Sequence, residues 1–292
     1  MKTRVLLNLF LLIGVLVLIA VVFYKPGIEP PKEIPPLTTL TREQVAKIEI
    51  IRDGNTVKLE RVKNGWQVVG AVPLAADTTQ VDALLALLDT RPQRSYAANT
   101  LDLAKLNLQP AQTTVHFDTT EICFGDTDPL DGLRYVQLGD QVHLIMDSYQ
   151  SILQSKRAQF ASRKLLPAGA DIVALDLPKL KLTKQDKGWK VEPAPEKLSA
   201  DAPQKLVQAW KNTSALWVRE YQKAASQPVS ITLADGKHIA FELRGGDGEY
   251  VLARPDLGVQ YQLPEDMAKP LLELHQAEPE AQDAPTSKAD DL

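Results

Sequence analysis

The sequence predicts an α+β fold in which an N-terminal transmembrane helix precedes two tandem antiparallel-sheet modules, each with a packing helix. Three observations point there. An uncharged run, VLLNLFLLIGVLVLIAVVFY from Val5 to Tyr24, opens the chain. Short segments that alternate apolar and polar residues follow it, punctuated by turn pairs such as Asp53-Gly54 and Asn64-Gly65, which are hairpin signals. The order of these signals then occurs a second time.

Residues 5–24 contain no charge, and at 1.5 Å per residue they match the ~30 Å hydrocarbon core of a bilayer. A cleaved signal peptide has an apolar core of about 7–15 residues followed by small residues; here the core is longer and ends in Phe23-Tyr24-Lys25. The sole cysteine, Cys123, lies too far downstream to carry a lipid beside this segment. Lys2 and Arg4 precede the run, whereas Lys25 and Lys32 after it are interleaved with Glu29 and Glu33. That bias favours cytoplasmic residues 1–4. The expectation is a single-pass protein of the bacterial inner membrane, with its C-terminal body in the periplasm and the lipid bilayer as its first partner. Pro26, Pro30, Pro31, Pro35 and Pro36 fix φ and remove amide donors, so residues 25–39 read as a stiff stalk.

The first module is expected over residues 40–166. Ala46 to Arg52, Thr56 to Val62 and Trp66 to Val69 read as a three-strand meander. Asp77 to Leu88 carries a helical stripe of Val81, Leu84, Leu85, Leu87 and Leu88, with Asp77 placed to cap it. Strands resume over 113–117, 121–124, 133–138 and 141–145, before a short helix over 149–156.

The second module is expected over residues 167–277. Strands over 172–177 and 180–183 lead to Lys187-Gly188-Trp189-Lys190-Val191, which repeats Asn64-Gly65-Trp66-Gln67-Val68. A helix over 200–210 opens with Ala200-Asp201 and Gln204, matching Ala76-Asp77 and Gln80. Further strands fall over 229–233, 239–243, 249–253 and 259–263, and Tyr250-Val251 answers Tyr135-Val136. Trp66 and Trp189 are therefore expected at equivalent buried positions. Residues 278–292, EPEAQDAPTSKADDL, have five acids against one lysine and read as a disordered acidic tail.

With 44% hydrophobic and 24% charged residues the body has enough apolar surface to fold. A net charge of −4 and a pI near 5.7 offer nothing to a phosphate backbone, so nucleic acid is excluded as a partner. Cys123, in Ile122-Cys123-Phe124, reads as a small buried hydrophobe.

The run Asp126-Thr127-Asp128-Pro129-Leu130-Asp131-Gly132 resembles a calcium loop in composition but not in spacing. An EF-hand needs oxygen ligands at positions 1, 3 and 5, glycine at 6 and glutamate at 12. Here an acid falls at 6, the glycine at 7 and Gln137 at 12, so a hairpin without tight calcium binding is expected. His116, His143, His238 and His275 have no pair spacing suited to one metal. Gly245-Gly246-Asp247-Gly248 reads as a turn between strands. Lys156-Arg157 and Arg163-Lys164 read as a solvated basic face linking the modules. No catalytic, cofactor-binding or metal-binding residue is assigned.

Four segments, VAKIEIIRDGNTVKLERVKNGWQVV, LDLAKLNLQPAQTTVHF, FGDTDPLDGLRYVQLGDQVHLI and FASRKLLP, together resemble the bacterial domain of unknown function 4340. The resemblance covers Leu40 to Leu166 well and the second module loosely. It implies a membrane-anchored extracytoplasmic module associated with auxiliary proteins of gliding-motility-type ABC transporters, and it carries over no site residue. The function expected is non-catalytic: a membrane-anchored periplasmic scaffold or accessory protein that binds a membrane or envelope protein in an envelope or ABC-transport-type assembly. The alternatives are an envelope-polymer hydrolase and a periplasmic protein that binds a small ligand between its modules.

Overall fold

The computed structural model describes the backbone of residues 2–24 and, beyond it, residues 34–195, 198–246 and 248–274. The opening run is helical, with α1 spanning Lys2–Tyr24. Its described side chains, Leu6, Leu7 and those of 9–20, are all exposed. Among the described residues no helix is long and apolar enough to cross a membrane. Val5, Asn8 and residues 21–24, which belong to the expected span, lie outside the described side chains, and a run limited to 9–20 is about 18 Å long, short of a ~30 Å core. Residues 25–33 of the expected stalk and the expected acidic tail likewise lie outside the described residues. Packing onto the body begins within the expected stalk: Leu37 is buried, and its N–H donates to the Thr90 carbonyl at 2.8 Å.

The body is α+β, with two antiparallel sheets and few helices. The first sheet holds β1 (Lys47–Arg52), β2 (Asn55–Val62), β3 (Gly65–Val68), β4 (Leu74–Ala75), β5 (Arg94–Ala97), β6 (Thr113–Phe117), β7 (Thr120–Thr127), β8 (Leu133–Leu138) and β9 (Gln141–Met146). Their spatial order is β4-β3-β2-β1-β6-β7-β8-β9-β5. Helix α2 (Thr78–Leu85), a 3-10 turn over Ala86–Asp89 and the short α3 (Gln150–Leu153) supply Val81, Leu84, Leu87, Leu88 and Ile152 to the core.

The second sheet holds β10 (Ile172–Leu177), β11 (Leu180–Gln185), β12 (Gly188–Glu192), β13 (Trp217–Glu220), β14 (Gln227–Leu233), β15 (His238–Gly246), β16 (Glu249–Arg254) and β17 (Val259–Pro264). Its order, β12-β11-β10-β14-β15-β16-β17-β13, reproduces that of the first sheet, with no counterpart to β4 among the described residues. The inward cross-strand pairs correspond as well. Ile50 of β1 faces Val57 and Val115, and Leu175 of β10 faces Leu182 and Ile231; such apolar pairs are the unit of sheet stabilisation. Gly65 (φ 122°) and Gly188 (φ 132°) occupy the same turn in each sheet, where a side chain would be strained.

The second sheet is covered by α4 (Ala202–Asn212), which buries Leu206, Val207 and Trp210, and by α5 (Glu265–Leu272). The largest anchor is Trp210: it is fully buried, its indole N–H donates to the Leu271 carbonyl at 2.8 Å, and its ring lies 5.6 Å from Phe241. Trp66 and Trp189 take equivalent positions opposite Arg61 and Lys184, but both are half-buried. The reason is that each lies on a short strand near the margin of its sheet. Arg61 lies 4.7 Å from the Trp66 ring centre, and the Trp189 indole N–H donates to Gln204 Oε1 at 3.2 Å.

The shared strand order forces two long connections per sheet, one through α2 or α4 from edge to opposite edge and one crossover from that edge to the interior. Residues 98–112 make it from β5 to β6, burying Ala98 and Leu108 against Val142 on the outer face. Gly125 on β7 allows this approach, because a Cβ there would collide with the Leu106 carbonyl. In the second sheet residues 221–226 suffice, and polar groups fasten them. Tyr221 donates to Glu242 at 3.1 Å, the Gln222 N–H donates to Gln260 Oε1 at 3.1 Å, and Arg244 reaches both acceptors.

Candidate functional site

Two places gather the residues that the sequence singles out. One is the acidic run Asp126–Gly132, which forms the connection between β7 and β8. Asp126 accepts from Asn107 Nδ2 at 2.7 Å and from the Gln112 amide. Asp128 is buried; it accepts from the Leu130 N–H at 3.0 Å and from the Tyr135 hydroxyl at 3.2 Å. Asp131 accepts from the Leu133 N–H at 3.2 Å and pairs with Arg94. Backbone bonds close the loop, from the Asp128 N–H to the Leu133 carbonyl at 2.7 Å and from the Gly132 N–H to the Asp128 carbonyl at 2.9 Å. Asp128 and Asp131 meet at the Arg94 guanidinium, and every carboxylate of the run is turned to protein donors, which is the geometry of a locked turn. Burial, and then the Asp128 carboxylate it faces, pushes the Tyr135 phenol up.

The other place is the segment between the sheets, where a 3-10 turn over Arg157–Phe160 precedes an extended run to Leu166. One side of it is hydrogen-bonded to the first sheet: the Ser162 N–H donates to the Ala75 carbonyl at 2.7 Å and the Asp77 N–H to the Phe160 carbonyl at 2.8 Å. The other side reaches the second sheet, where the Ala215 N–H donates to the Arg163 carbonyl at 2.8 Å and Glu220 accepts the Ala158 N–H at 3.1 Å. A single apolar core runs through both modules.

The expected solvated basic face is corrected here, because two of its four cations act as clamps. Arg163 Nε donates to Asp77 Oδ2 at 2.8 Å, while the other Asp77 oxygen caps α2 through the N–H groups of Thr79 and Gln80 at 2.9 and 3.3 Å. Arg157 lies over Gly70 and donates to the carbonyls of Val69 and Val72. Asp201, the sequence counterpart of Asp77, makes no side-chain cap. Hydrogen bonds from Lys205 and Ser199 instead hold its carboxyl down to about 2. Beside the joint, a groove of about 420 Å³ follows β13, lined by Lys156, Gln159, Trp217, Arg219, Glu220 and Gln222.

The remaining candidates are scattered. His116 lies 3.7 Å from the Glu121 carboxylate, His143 Nδ1 lies 2.8 Å from Ser95 Oγ, and His238 Nδ1 lies 3.1 Å from Thr232 Oγ1. His275 falls outside the described residues. Burial lowers the pKa of His143. Among the described residues no group of three His, Cys, Asp or Glu side chains could hold a metal. Cys123 is half-buried on the outer face of β7, and burial pushes its thiol up. It lines a cavity of about 660 Å³ under the first crossover, with Thr114, Glu121 and Gln137.

Sequence reasoning missed the joint. Asp77 and Arg163 stand far apart in the chain, and nothing local pairs them.

Residues 66–228 match a family described as Domain of unknown function (DUF4340), a stretch that crosses the joint and takes in part of each sheet. No curated protein and no solved structure matches the chain. With more than half of its length matched, the chain belongs to the DUF4340 family.

Proposed function

We propose that this protein is a non-catalytic scaffold or accessory protein, anchored by α1 in a bacterial inner membrane, whose periplasmic body docks onto another envelope protein in an ABC-transport-type assembly. The observation that carries the reading is the joint. Two sheets are held against one another by the Asp77–Arg163 pair, by backbone bonds on both sides of residues 158–163, and by a shared core. A fixed relation between two sheets gives a partner one shape to recognise, and little order has to be gained on binding.

The anchor is supported by the helix itself. α1 runs for 23 residues, roughly 35 Å at 1.5 Å per residue, and every described apolar side chain on it is exposed, including Phe10, Leu11 and Leu18. A helix apolar on all sides is at home in lipid or a core rather than in water. Tethering raises the local concentration of the body for a neighbour in the same membrane, so even a weak interface is occupied. The groove along β13 favours a second reading, capture of a small ligand beside the joint.

Topology is tested by washing membranes with alkaline carbonate and by fusing a reporter that is active only in the periplasm after Leu274. Retention in the pellet with an active reporter is expected. Extraction of the protein, or a silent periplasmic reporter beside an active cytoplasmic one, removes the reading.

A further inference from the structure

We infer that the connection between β7 and β8 is a preformed docking finger whose Leu130 side chain seats in an apolar pocket, rimmed by basic residues, on the partner protein. This rests on the scaffold reading above and names the part of the body that makes the contact.

The fold does not need the finger. In the second sheet the corresponding strands, β15 and β16, stay paired as far as Gly246 and Glu249. In the first sheet the last paired positions are Thr127 and Arg134, and the added residues carry Pro129 and Leu130 outward. Leu130 is 92% exposed, the highest value among the described large apolar side chains. Met146, paired across the ladder with Leu133 at the base of the finger, is 66% exposed. An isolated exposed leucine is ordinary. An exposed leucine on a loop that two buried or bonded aspartates, Arg94 and Tyr135 hold in one conformation is different, because binding then requires no ordering of the loop.

Charge selects the partner. Asp126, Asp128, Asp131 and Asp147 surround the base of the finger, against Arg94 and Arg134. The excess is negative by two. A bilayer surface rich in anionic lipid would repel this end of the body, whereas a protein pocket with Lys or Arg at its rim would attract it.

The test uses the full-length protein in intact cells, with a benzophenone amino acid at Met146 and, in a separate strain, at Leu198 of the second module. The expected result is one dominant protein adduct from position 146, mapping to an apolar pocket flanked by Lys or Arg. Leu130→Ser should lower its yield at least tenfold without changing the melting temperature, and added salt should weaken the adduct in isolated membranes. A drop in melting temperature on Leu130→Ser would show the side chain holding the body together and would overturn the finger. Lipid adducts at position 146, or a protein adduct indifferent to Leu130→Ser, overturn it too. If position 198 captures a protein and position 146 does not, the finger fails while the scaffold reading stands; if neither position captures a protein, both fail.

Discussion

Removing the Asp77 carboxylate should loosen the joint and the start of α2 together, and the structure sets the size of the effect. One oxygen accepts the N–H groups of Thr79 and Gln80; losing such an N-cap costs about 1 kcal/mol. The other accepts from Arg163, whose side chain is 47% exposed, so the pair contributes only ~0.5–1 kcal/mol. Asp77→Ala should therefore destabilise by about 2 kcal/mol and Arg163→Ala by about 0.5–1 kcal/mol. Because the two changes remove one shared contact, the double variant should fall short of their sum by about 0.5–1 kcal/mol. Asp77→Asn keeps an acceptor for the cap and should resemble Arg163→Ala. The assay is urea unfolding of the detergent-solubilised protein, followed by tryptophan fluorescence. Strict additivity, or an Asp77→Ala cost below about 0.5 kcal/mol, would refute the joint as described.

Four further outcomes are expected. Trp210→Ala should cost about 3–5 kcal/mol, whereas Trp66→Ala and Trp189→Ala, truncating half-buried rings, should cost clearly less in the same urea experiment. Burial depresses the pKa of His143 in the folded state, so its contribution to stability is complete above the unfolded value of about 6.5 and is lost as pH falls through the folded value; His143→Gln should flatten the stability profile on the acid side of 6.5, and an unchanged profile would count against this. Cys123 should react with a maleimide more slowly than a free thiol until urea unfolds the protein, because partial burial raises its pKa. Titration calorimetry should give no calcium isotherm at micromolar concentrations, and tight binding abolished by Asp128→Ala would reverse the assignment of Asp126–Gly132 as a locked turn.

What could be read from sequence followed local periodicity. The meander strands β1 to β3, the inner strands β6 to β9 and their counterparts β14 to β17 all show alternation against clear turn residues, and Asp77 announces its helix by position. The strands β5 and β13 were not legible. Each has four residues, and three of the four in β5 and in β13 are exposed, so neither shows the alternation of a half-buried strand. The two-residue β4 is too short to show any period. Arg157 and Arg163 looked like ordinary surface charge because their partners, the Val69 carbonyl and Asp77, come from the other side of the joint. The acidic run was visible as a loop, but the exposure of Leu130 at its end appears only once Arg94 and Tyr135 are brought in from other strands.

An anchored body that docks onto a neighbouring envelope protein should lose that partner when it is released from the membrane. The direct measurement is crosslinking in native membranes, read by mass spectrometry, with the anchored protein compared at matched abundance with a body released into the periplasm. The expected result is an adduct with one membrane or envelope protein that falls at least tenfold on release, together with a weakened phenotype of that assembly. Full function from the released body, with no adduct in either form, would contradict it.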